Sequence, residues 1–82
     1  MSLTNTADYT HLKRDCVTDS QSAWAFECVV NQAIRYELTL SDTDFKHFLK
    51  LKRADIDISW LMHQMTAYDQ SFTDALVSYV TY

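Results

Sequence analysis

The side chains that could do chemistry in this chain are few and scattered. His11 has Asp8 three residues before it and Asp15 four after. On a helix all three share one face, a carboxylate–imidazole arrangement that can move a proton or help hold a metal ion. One histidine without a second imidazole or thiolate is a poor ligand set, so an ordinary surface ion pair is the favoured reading and no metal is expected. His47 and His63 have no carboxylate or cysteine four residues on and read as solvated or rim side chains. Cys16 lies beside Lys13 and Arg14, the cationic setting a reactive cysteine uses, yet no base is near it in sequence. Cys28 sits in an apolar run and reads as a small buried hydrophobe. The pairs Ser41/Asp44 and Ser71/Asp74 have the spacing of helix caps rather than of a nucleophile and its partner. No acid, base and nucleophile assemble, so the expectation is a protein that is not an enzyme, with no catalytic residue and no cofactor.

One absence narrows the possibilities further. The chain has no glycine and no proline. Loops that wrap phosphates with backbone amides need glycine, because φ must go positive and the main chain must approach the ligand closely. The P-loop, the dinucleotide fingerprint and the nucleophile elbow are therefore excluded as written. Turns must instead use Asn, Asp and Ser.

The elements that would position these residues follow from periodicity. Trp24, Phe26, Cys28 and Val30 alternate with Ala23, Ala25, Glu27 and Val29; Ile34, Tyr36, Leu38 and Leu40 alternate with Arg35, Glu37 and Thr39. With Asn31-Gln32 between them, the two runs predict an antiparallel β-hairpin over about 23–40. The rival is a helix through 22–35, on which Glu27, Asn31 and Arg35 form a polar stripe. Ser41 is a good N-cap, Asp44 suits the positive helix end, and Leu40 and Phe45 hold the positions of a hydrophobic staple, predicting a helix over 42–53. Ile58, Leu61, Met65, Tyr68, Phe72, Ala75, Tyr79 and Tyr82 follow steps of three and four, a helical stripe that Asp69 interrupts. A break near Asp69 to Ser71 and a second helix to the end are expected. Tyr9, Leu12 and Cys16 could line a short first helix. The fold class so predicted is α+β, a two-stranded antiparallel hairpin covered by two or three short helices, with an all-α bundle as the alternative.

At 82 residues, the chain reads as a single domain, residues 1–82, with its first few residues flexible. The opening residues carry no signal-peptide pattern and no apolar run is long enough to cross a bilayer, so a cytoplasmic location is expected. Lys46, Lys50, Lys52 and Arg53 make one helix basic, and four cations could meet phosphates. The net charge of −4 and the following Asp55 and Asp57 argue for a solvated face and against nucleic acid. The aromatic content is more telling: four Phe, two Trp and five Tyr exceed what so small a core absorbs. Trp60 falls opposite the apolar stripe, and Tyr79 and Tyr82 lie near the end. Tyr and Trp anchor protein interfaces because they combine area with a polar tip.

In size and composition the chain resembles the small acidic proteins that phages and mobile elements use as stoichiometric inhibitors, anti-CRISPR proteins among them. The expectation is a non-enzymatic protein-binding domain, an inhibitor or adaptor acting on a larger protein or complex. Its partner-binding residues would be Trp60, Tyr79, Tyr82, Lys46, Lys50 and Arg53, and a homodimer is possible through the C-terminal stripe. The alternative is a nucleic-acid-associated regulator using the basic helix 42–53.

Overall fold

The computed structural model describes residues 9–81, which form five helices joined by short links. These are α1 (Thr10–Cys16), α2 (Ser20–Arg35), α3 (Asp42–Arg53), α4 (Ser59–Tyr68) and α5 (Phe72–Thr81). No strand occurs among the described residues, and the all-α alternative replaces the α+β hairpin.

The correction has a local cause. Residues 20–35 are one helix, started by a capping box: Asp19 accepts the Ser22 N–H at 2.7 Å, and Ser22 Oγ accepts the Asp19 N–H at 2.9 Å. Ser22 Oγ also takes the Thr18 N–H at 2.8 Å, so one fully buried hydroxyl ties down two donors ahead of α2. The buried positions of α2 are Ser22, Ala25, Phe26, Val29 and Ala33, a period of 3.6 rather than 2. Trp24 and Ile34, two anchors of the supposed strands, are largely exposed. Asn31-Gln32 lies inside the helix, and residues 36–41 are the link to α3.

Two links turn without glycine. The Leu38 N–H donates to Ala33 O at 2.8 Å and the Glu37 N–H to Ile34 O at 3.0 Å. The Ile56 N–H donates to Leu51 O at 3.0 Å and the Asp55 N–H to Lys52 O at 2.8 Å. Both are Schellman motifs, and both place an acidic side chain at the left-handed position, with φ of 56° at Glu37 and 62° at Asp55. Asp69, also left-handed, ends α4 where a break is expected. Ser41 caps α3 by accepting the Asp44 N–H at 3.1 Å, and Ser71 Oγ accepts the Asp74 N–H at 3.3 Å at the start of α5.

The core centres on α3. Phe45 and Phe48 are fully buried; Tyr9 and Phe26 pack on Phe45 at ring distances of 4.5 and 4.9 Å, and Phe72 meets Phe48 edge-on at 4.6 Å. The Tyr9 hydroxyl accepts the Leu40 N–H at 2.9 Å, giving that buried amide its partner. Burial holds the Tyr9 hydroxyl above its ordinary pKa. α2 packs chiefly on α3 and α4 on α5, giving a slab 34 × 33 × 17 Å in Cα extent.

Candidate functional site

The sequence-predicted residues separate onto two surfaces. On the first, the residues of α4 and α5 that face away from the core form a groove of about 590 Å³ lined by Trp60, Gln64, Tyr68, Val77, Ser78 and Thr81. Trp60 and Tyr79 pack with ring centroids 5.4 Å apart across the two helices. Trp60 is half-buried, neither a core residue nor a free anchor, while Tyr79 is 40% exposed. Tyr68, Val77 and Val80 are more exposed still. Tyr68 belongs to the predicted helical stripe, but it is the last residue of α4, immediately before the Asp69 break, and faces solvent. Residues 58–81 carry no Lys or Arg, and their acidic groups are Asp69 and Asp74 alone. Tyr82 lies outside the described residues.

On the second surface, Lys46, Lys50 and Arg53 come together in a cleft of about 630 Å³ between α3 and the α1–α2 junction. At about 100° per residue these three fall within about 60° of one another on α3, and Lys52 points about 100° or more away. Lys52 is accordingly diverted: its Nζ lies 5.0 Å from the ring centroid of Trp24, a cation–π contact on the α2–α3 seam. The basic run therefore divides, three cations in the cleft and one outside it. The opposite wall is Asp15, Cys16, Thr18 and Gln21, which no spacing within α3 could reveal. Gln21 donates to Arg53 O at 2.8 Å, and Asp19 stands 3.8 Å from the Arg53 guanidinium. Hydrogen bonds from Ser22, backbone then hydroxyl, with Arg53 adding to them, hold the Asp19 carboxyl below its ordinary pKa.

The titratable groups singled out by spacing take other roles. His11 pairs with Asp42, not Asp15, at 2.9 Å, and so ties α1 to the first turn of α3. Asp8 lies outside the described residues. His47 stacks on Phe72 at 4.8 Å, and His63 meets Tyr36 edge-on at 6.1 Å. Cys16 and Cys28 are free and half-buried. No group of three or more His, Cys, Asp or Glu side chains converges in a metal-holding arrangement among the described residues. No helix among them is long and apolar enough to cross a membrane.

Comparison with family models, with curated proteins and with solved structures gives no match.

Proposed function

We propose that this chain is a non-enzymatic, cytoplasmic protein-binding domain, a stoichiometric inhibitor or adaptor of a larger protein or complex, of the kind phages and mobile elements use, anti-CRISPR proteins among them. The observation that carries the reading is the α4–α5 face. Among the described residues, α4 and α5 leave Tyr68, Val77, Tyr79 and Val80 exposed, with the half-buried Trp60 packed on Tyr79. Exposed apolar and aromatic side chains are what interface centres draw on, and here Trp60, Tyr68 and Val77 meet in one groove. Its lack of cations and near-lack of charge suits an interface core, where charged residues are depleted. The same face would serve a homodimer, a reading that sedimentation of the purified chain tests directly.

A second reading, a nucleic-acid-associated regulator, draws on the convergence of Lys46, Lys50 and Arg53. The flat-surface footprint of duplex binding is weak here: Lys52 is engaged with Trp24, Arg53 stands beside Asp19, and Asp15 lines the same cleft. The test of the leading reading is quantitative binding to a partner captured from host lysate, comparing the native chain with Val80→Asp and Tyr79→Ala. Loss of binding with retained folding supports it, and unchanged binding by both variants refutes it.

A further inference from the structure

We infer that the cleft between α3 and the α1–α2 junction is a side-chain-built site for a linear polyphosphate group, the phosphate chain of a nucleotide or of inorganic polyphosphate. The cleft is separate from the α4–α5 face and does not depend on the reading given to that face. Its volume of about 630 Å³ lies within the range of small-ligand sites. Lys46, Lys50 and Arg53 stand one and two turns apart, so their stems span about 10 Å along α3. A row of point charges of that length matches two or three linked phosphates better than it matches one compact anion. Lysine is a regular phosphate partner, acting as a point charge, and needs no glycine loop to do so.

Three further observations favour a ligand over a merely solvated face. Neither Lys46 nor Lys50 has an ion-pair partner among the described residues, although the chain has eleven acidic side chains for seven cations. The end of α3 is held in place by Gln21 on the Arg53 carbonyl, so the third cation projects from a fixed helix terminus. Opposite the cations stand Thr18 and Gln21, neutral hydrogen-bonding side chains, with Cys16, Leu49 and Ala54 as an apolar floor that a base or sugar could cover. Asp15 lines the rim and Asp19 faces Arg53; both oppose an anion, and Asp19 is committed to the α2 cap. The three cations outnumber them, and the cap leaves Asp19 with fewer free lone pairs to present.

The test uses the full chain and sodium tripolyphosphate in isothermal titration at low salt, with a maleimide-labelling readout. The expected result is one-to-one binding that Lys46→Gln/Lys50→Gln weakens at least tenfold and Lys52→Gln changes less than twofold, since Lys52 leaves the cleft. Tripolyphosphate should also slow labelling of Cys16 and leave Cys28 unaffected. ATP binding more tightly than tripolyphosphate would identify a nucleotide as the source, and equal or weaker binding would identify inorganic polyphosphate. No heat at millimolar tripolyphosphate overturns the proposal. So does equal weakening by Lys52→Gln, which would mean diffuse attraction, or tighter binding of hexaglutamate or duplex DNA than of tripolyphosphate. A thermal melt of each variant confirms that it is folded, and none of these outcomes bears on binding through α4 and α5.

Discussion

Trp60 on α4 and Tyr79 on α5 lie with ring centroids 5.4 Å apart and planes inclined at 49°, so the most prominent aromatic pair of the C-terminal helices is made at the edge of the core rather than inside it. Trp60 is partly buried by this contact and by the core it packs against, and Tyr79 keeps 40% of its own surface open to solvent. Full burial of tryptophan would make truncation cost about 3–5 kcal/mol, and full exposure about 0.5 kcal/mol or less. Trp60→Ala is therefore expected to cost about 1–2 kcal/mol, read in a thermal melt as a fall of about 5–15 °C in Tm. A collapse of the fold would make Trp60 a core residue and remove it from the interface.

Ser22 carries more than its size suggests. Its buried hydroxyl accepts the N–H groups of Thr18 and Asp19, so Ser22→Ala leaves two donors unsatisfied at the start of the longest helix. The expected loss is about 2 kcal/mol by chemical denaturation, large for a serine-to-alanine change. A loss under about 0.5 kcal/mol would mean that water replaces the hydroxyl without cost.

Glu37 and Asp55 occupy left-handed positions that glycine fills at no steric cost, and both carboxylates sit at the negative ends of helices. Glu37→Gly and Asp55→Gly should each stabilise the domain by about 0.5–1 kcal/mol, the relief of strain exceeding the entropy that glycine adds to the unfolded chain. The larger gain is expected at Glu37, because aspartate tolerates this backbone region better than glutamate. A lower Tm in both variants would contradict the account of these turns.

The hairpin misreading and these turns have related physical origins. Ser22, Ala25 and Ala33 are buried positions of α2 despite their small side chains. Meanwhile large apolar groups at Trp24 and Ile34 face outward, Trp24 under the Lys52 ammonium. Reading hydrophobicity by side-chain size thus selects an alternating pattern where burial follows 3.6. Helix 42–53 was legible to the residue because Ser41, Leu40, Phe45 and the late cations all agree on its ends. The spacing of Lys46, Lys50 and Arg53 was legible too, but the cleft was not, because Cys16, Thr18 and Gln21 reach it only through the packing of the α1–α2 junction against α3.

Acid should weaken α2 through Asp19. Its folded pKa lies below the ordinary 3.8, so the unfolded chain takes up the proton first, and the stabilisation is complete above that value. It is lost as pH falls through the lowered folded pKa. Asn caps helices about as well as Asp but does not titrate. Asp19→Asn should therefore melt close to the native chain at neutral pH and lose less stability than it below the ordinary carboxylate range. Parallel acid limbs for the two proteins would show that the cap does not depend on the carboxylate.

The most direct test of the protein-binding account is the affinity of the captured partner for the native chain and for Val80→Asp, measured beside a thermal melt. Val80 is 70% exposed but lies in the last turn of α5, so the new carboxylate should cost at most about 1 kcal/mol of stability and leave the chain folded. An interface centred on α4 and α5 would bury that new charge, and a cost of about 2 kcal/mol or more would weaken binding by about thirtyfold or more. The account predicts that loss in a variant that still melts cooperatively, with its midpoint lowered by no more than a few degrees. Native affinity in Val80→Asp and in Tyr79→Ala, together with loss of binding in Lys46→Gln/Lys50→Gln, would contradict it and move the interface to the basic cleft.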